Sequence, residues 1–159
     1  MLILVYIPAS AQSNNYENET QEQEIVCFQN GDYIVIEKFV APEIGDNINS
    51  GGGGNNSESK PPQKICTIKE SYYSKDSVLI WQYKLQALYS IDYGIGSVCE
   101  STSYTYKIYD DNWTFSEGNA SIKNNEAHGI GSFTKKFLFV PTEIRNTKLS
   151  IACDKYGNY

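Results

Sequence analysis

Across residues 79–87 the side chains alternate without a break. Leu79, Trp81, Tyr83, Leu85 and Ala87 fall on one face, and Ile80, Gln82, Lys84 and Gln86 fall on the other. A period of two belongs to an extended chain with one face turned into a core, so the segment predicts a half-buried β-strand. Further strand candidates follow at short intervals over 98–100, 104–109, 113–115, 121–123, 129–140 and 147–153. The connections Asp92-Tyr93-Gly94-Ile95-Gly96 and Asp110-Asp111-Asn112 carry the Gly, Asp and Asn that turns favour. Thirteen Tyr against one Met and one His strengthen the strand reading. Six to eight short strands in roughly a hundred residues predict an all-β fold, an antiparallel β-sandwich with few helices.

Upstream of residue 64 the pattern weakens. Residues 25–28 and 33–36 flank the turn Gln29-Asn30-Gly31-Asp32 and predict a hairpin over 25–38. The polar stretch 12–24 is expected to be disordered. Residues 41–63, with Gly51-Gly52-Gly53-Gly54 inside them and Pro61-Pro62 near their end, predict a flexible linker, because such a segment has little apolar area to offset its ordering entropy. At the N-terminus the apolar run Leu2-Ile3-Leu4-Val5-Tyr6-Ile7 precedes Pro8 and Ala9-Ser10-Ala11, the pattern of a secretory signal cleaved after Ala11. It lacks the usual basic start, which suggests a natural initiation site further upstream. The expected organisation is therefore a signal peptide over 1–11, an acidic and partly disordered segment over 12–63, and a β-domain over 64–159. No later apolar run approaches the ~20 residues of a membrane helix, so the mature chain is expected to be exported without a transmembrane segment.

The net charge of −6 is placed unevenly. Residues 14–63 carry nine acids against Lys38 and Lys60, whereas residues 64–159 carry eleven bases and ten acids. Neither part offers a basic stripe for phosphate backbones, so nucleic acid is not an expected partner. Four cysteines without a CxxC spacing, in a chain expected to be exported, predict disulfides rather than a metal site. Three pairings are open. The preferred one joins Cys99 to Cys153, closing a loop of about 55 residues worth roughly 4 kcal/mol, and Cys27 to Cys66.

Trp113 lies fourteen residues after Cys99, and Cys153 ends a later alternating segment. This resembles the Cys…Trp…Cys framework of immunoglobulin domains and implies an Ig-like variant of the sandwich. Ile151 stands where those domains carry a corner Tyr. A second resemblance rests on Val78-Leu79-Ile80-Trp81, Val98-Cys99, Ile108-Tyr109-Asp110 with Trp113, Ala127-His128-Gly129, and Leu149-Ser150-Ile151-Ala152-Cys153-Asp154 with Gly157-Asn158. Over residues 64–159 this order is similar to a family of small secreted proteins of clostridia-like Firmicutes, a domain of unknown function. That resemblance implies export and a disulfide-bonded β-fold, and it implies no activity.

Chemistry-bearing patterns are sparse. His128, in Glu126-Ala127-His128-Gly129, is the sole imidazole and is expected to be a solvated loop residue rather than a catalytic base. Asp110, Asp111, Glu100 and Glu117 are the carboxylates a glycosidase would draw on, but a chain this short leaves little room for a deep cleft. Asp110-Asp111-Asn112 also suits Ca²⁺, although the EF-hand spacing is absent and turn chemistry is the favoured reading. No catalytic residue, metal ligand or cofactor is therefore assigned. The remaining signal is aromatic. Tyr104, Tyr106 and Tyr109 are the candidate ligand-face residues, since Tyr offers a rigid ring with a polar tip. The expected function is a non-enzymatic binding module of the bacterial cell envelope or medium, with a cell-wall glycan or a surface protein as partner. A secreted structural or intercellular interaction protein is the alternative, and a small carboxylate-dependent glycoside hydrolase stands behind both.

Overall fold

A computed structural model describes residues 3–6, 20–41 and 61–159. Its strands are β1 (Ile3–Tyr6), β2 (Thr20–Cys27), β3 (Tyr33–Val40), β4 (Gln63–Tyr73), β5 (Leu79–Asp92), β6 (Gly96–Ile108), β7 (Trp113–Lys123), β8 (Glu126–Phe137) and β9 (Val140–Ile151). They form two antiparallel sheets, one in the order β1 to β6 and the other β7-β8-β9, so the fold is an all-β sandwich. Within each sheet every strand pairs with its neighbours in sequence, and among the described residues the chain passes between sheets once, at the turn before Trp113. The connectivity is thus a pair of meanders, without the Greek-key crossings between sheets that the expected Ig-like variant implies. Among the described residues no helix is long and apolar enough to cross a membrane.

The alternation in β5 is the centre of the core. Trp81, Tyr83, Leu85, Ala87, Tyr89 and Ile91 all point inward and are buried. Register places them opposite the inward residues of β4: Trp81 faces Tyr72, Leu85 faces Ile68, and Ala87 faces Cys66. From the smaller sheet Phe133 stacks on Trp81 with ring centroids 4.0 Å apart and planes 3° from parallel. Trp113 meets Tyr72 edge-on at 5.5 Å. In the immunoglobulin resemblance the corresponding Trp would lie on a disulfide, and here its place is taken by an aromatic cluster. Two glycines let the sheets approach. A Cβ on Gly131 would sit 2.9 Å from the Tyr83 ring and from Thr147 Cγ2, and one on Gly129 would sit 2.9 Å from Leu85 Cδ1.

Several local expectations are corrected. Residues 20–24 are not disordered. They continue β2 against β3, with Glu22 opposite Lys38 in an ion pair of 2.5 Å, because cross-strand charge pairing lets a polar sequence hold a ladder. The hairpin of β2 and β3 belongs to the same sheet as β4, and residue 64 is therefore not a structural boundary. Ile3–Tyr6, inside the expected signal segment, pairs with β2 as a strand. The expected cleavage region and most of the expected linker lie outside the described residues. The predicted single run over 129–140 divides into β8 and β9 at a two-residue turn formed by Leu138 and Phe139.

All four cysteines are free thiols. A Cys27–Cys66 bond is excluded by register: Cys27 pairs with Tyr33, Tyr33 pairs with Tyr73, and Cys66 lies seven residues further along β4, about 20 Å away. Cys66 is buried on the inner face with Cys153 beside it, and that neighbour adds to the burial that raises its thiol. Cys153 therefore has Cys66 as its near neighbour, rather than being bonded to Cys99.

Candidate functional site on the outer sheet face

The three tyrosines expected to share a ligand face are divided by the sheet. Tyr104 and Tyr106 occupy inward positions of β6, opposite Leu85 and Tyr83. Tyr104 stacks on Tyr83 at 5.5 Å and donates from its hydroxyl to Gly118 O at 3.3 Å. Tyr106 lies 3.9 Å from the ring of Phe115, stacked at 19°, with half its surface open at the margin of the sandwich. These two rings fill the space between β6 and β7. An open platform would need them on the other side of the sheet.

Tyr109 is on that other side. Period-two alternation carries Lys107 and Tyr109 outward from β6, and the Tyr109 hydroxyl donates to Gln82 Oε1 at 2.8 Å on the outer face of β5. Lys107 Nζ lies 4.7 Å from the centre of the Tyr109 ring. Two further tyrosines join it from β3 and β4. Tyr33 and Tyr73 are a cross-strand pair, stacked at 5.0 Å with planes only 7° apart. Burial raises the Tyr73 hydroxyl above its ordinary range, and the neighbouring Glu37, Tyr33 and Tyr109 push in the same direction. The three rings therefore lie within one electrostatic neighbourhood. Among the described residues no strand packs on this face of the larger sheet.

The surface around them is mixed in charge. Lys69 Nζ is 2.6 Å from Glu37 Oε2 and 5.2 Å from the Phe39 ring centre. Gln82 Nε2 donates to the hydroxyl of buried Ser71 at 3.1 Å, which fixes the amide so that its oxygen faces Tyr109. Flat rings, an oriented amide, and flanking ammonium and carboxylate groups make a surface suited to a ligand with one apolar face and several hydroxyls. Sequence reading missed Tyr33 and its pairing with Tyr73, since the two lie forty residues apart and come together only through the register of β3 on β4.

The candidate carboxylates do not converge. Glu100 and Asp110 are ten residues apart on β6 and the turn after it, about 30 Å of extended chain. Glu117 is on β7 opposite Ser132 and is exposed. Asp110 Oδ1 accepts from the backbone N–H of Asn112 at 2.9 Å and from its side-chain amide at 2.8 Å, which is turn chemistry. His128 lies on β8 rather than in a loop, partly exposed, with Nε2 3.6 Å from Glu126 Oε2. The carboxylate with the most altered environment is one the sequence did not suggest. Burial pushes Glu70, on the inner face of β4, up to about 7, partly offset by the hydroxyl of Thr147. No family model, curated protein or solved structure matches this chain.

Proposed function

We propose that this chain is an exported, non-enzymatic binding module of the bacterial cell envelope or medium, and that it recognises the sugar rings of a cell-wall glycan on the outer face of its larger sheet. The observation that carries this reading is the parallel stack of Tyr33 on Tyr73, with Tyr109 and its Gln82 partner beside it. Sugar rings present axial C–H groups to an aromatic plane and hydroxyls around the rim. The amide of Gln82 and the Lys107 and Glu37 side chains offer donors and acceptors at that rim. The apolar run before Ala9-Ser10-Ala11 supports export.

Calorimetric titration of the full chain with soluble peptidoglycan fragments and neutral glycans tests the proposal. Binding is expected, with Tyr73→Ala or Tyr109→Ala weakening it at least tenfold, about 1.4 kcal/mol. Tyr104→Phe is expected to leave it unchanged, since that hydroxyl faces the sandwich interior. Absence of binding to every glycan, or affinity indifferent to Tyr73 and Tyr109, overturns the assignment.

A further inference from the structure

The smaller sheet contains two hairpins that use the same kind of turn with opposite chemistry. Between β7 and β8 the central residues are Asn124 and Asn125, with φ of 52° and 64°. Asparagine tolerates the left-handed region, and Asn125 also works, its side chain accepting from Cys99 N and donating to Ser97 O, both at 2.7 Å. Between β8 and β9 the central residues are Leu138 and Phe139, with φ of 47° and 69°. Bulky side chains are strained there, and a two-residue hairpin of this type ordinarily takes Asn-Gly.

Among the described residues nothing packs over the strained turn. Phe137, Leu138, Phe139 and Val140 are 69%, 77%, 95% and 62% exposed, four consecutive apolar side chains projecting from the end of the sheet. Strain and exposed apolar area both oppose the folded state, and such costs concentrate where a segment has a function. The tip is convex. It encloses no cavity for a small ligand, and a two-residue point gives no flat surface for a second copy. A deformable apolar phase fits it.

The charges behind the tip narrow the partner further. Lys135 and Lys136 immediately precede it and are exposed. Lys136 pairs with Pro141, and Glu143 on the other strand is held by Arg145 Nε at 2.6 Å. Lys135 lies directly opposite Glu143, the carboxylate that Arg145 holds, and on the adjoining turn, where Asn112 O accepts from Lys136 N at 2.8 Å, Asp110 accepts from Asn112. From the Lys136–Pro141 pair to the apex the hairpin reaches about 7–10 Å, the depth of the boundary between headgroups and acyl chains.

We propose that the β8–β9 hairpin is a membrane anchor point that inserts Phe137, Leu138, Phe139 and Val140 into the interface of an anionic lipid bilayer, with Lys135 and Lys136 among the headgroups. This goes beyond glycan recognition and uses a different surface.

Co-sedimentation of the full chain with vesicles of phosphatidylcholine containing phosphatidylglycerol, and of phosphatidylcholine alone, tests it. Binding to the anionic vesicles is expected, at least tenfold above the neutral ones and reduced by salt. The double variant Leu138→Asn/Phe139→Gly supplies the residues this turn favours, so it is expected to unfold at a temperature several degrees higher while losing vesicle binding at least tenfold. The gain in stability separates lost binding from lost folding. A wild-type chain that leaves anionic vesicles unbound, or a variant that binds them as well as wild type, overturns the proposal. Retained binding in Lys135→Gln/Lys136→Gln overturns the role given to the two lysines.

Discussion

The hydroxyl of Thr147, on β9, donates a hydrogen bond of 2.5 Å to the carboxylate of Glu70, on β4, and so joins the two sheets through a polar contact inside an aromatic core. Burial dominates the acidity of Glu70, which rises from an ordinary 4.5 to about 7. Between these values the folded chain holds a proton that the unfolded chain has released. Stability is therefore greatest below about pH 4.5 as far as this group is concerned, and falls as pH rises towards 7, by on the order of 3 kcal/mol. Urea unfolding at pH 5 and pH 8 is expected to show that loss, and Glu70→Gln is expected to abolish it and to be the more stable protein at pH 8. An unchanged pH profile in the variant would remove Glu70 as the cause.

Tyr83 of β5 packs closely on Gly131 of β8. The Tyr83 hydroxyl donates to Ile130 O at 2.9 Å, and its ring occupies the space a side chain at 131 would need. Gly131→Ala is expected to destabilise by about 1–3 kcal/mol, although alanine is the better strand residue. Tyr83→Phe should lose about 1 kcal/mol from the hydrogen bond alone. Thermal unfolding of both variants checks the two values against each other.

The thiols should differ in reactivity. Burial pushes the Cys66 thiol up to about 12, with Cys153 beside it adding to the effect, and burial also raises Cys99 and Cys153. Alkylation of the native chain at pH 8 is expected to label Cys66 last. With oxidised glutathione as oxidant, peptide mapping is expected to find Cys66 joined to Cys153, since these sulfurs are already neighbours. A Cys27–Cys66 peptide would contradict the register of β2 to β4.

Tyr159 reaches back from the end of the chain to bridge β3 and β4. Its hydroxyl accepts from Phe39 N at 2.7 Å and lies against the carbonyls of Phe39 and Thr67. The approach is set by Asp154, whose carboxylate accepts from the backbone N–H of Tyr156 and Asn158 at 2.8 and 2.9 Å and is held below the usual carboxylate range by those bonds. Tyr159→Phe is expected to cost about 1–3 kcal/mol, because the Phe39 N–H loses its partner in a half-buried place. Hydrogen exchange at Phe39 reads the loss directly.

What was legible in the sequence follows from which physical signals are local. β5 could be read because its inward residues recur at every second position, and the turns at Asp92 and Asp110 because Asp, Asn and Gly mark them. The β8–β9 turn was invisible for the opposite reason: Leu138 and Phe139 are residues such a turn disfavours, so the segment read as one strand. Residues 20–24 read as disordered because their ladder depends on a charge partner, Lys38, that composition alone does not place. Alternation divides Tyr104 and Tyr106 from Lys107, but which side faces the second sheet depends on Phe115 and Phe133, from strands further along. The Tyr33–Tyr73 platform and the Cys66–Cys153 contact are set by register between distant segments, where sequence spacing carries no information.

The passage between the two sheets at the turn of Asp110, Asp111 and Asn112 has a consequence for how the molecule can be divided. A cut there leaves one fragment with every strand of the larger sheet and another with every strand of the smaller, and no strand is separated from its hydrogen-bonded neighbours. The bare three-stranded fragment would expose Phe133, Leu149 and Ile151, and the larger one Trp81 and Tyr83. Each half is thus the other's missing layer, and any recombination of the two would have to rebuild the aromatic stack of Trp81 on Phe133 that joins them when whole.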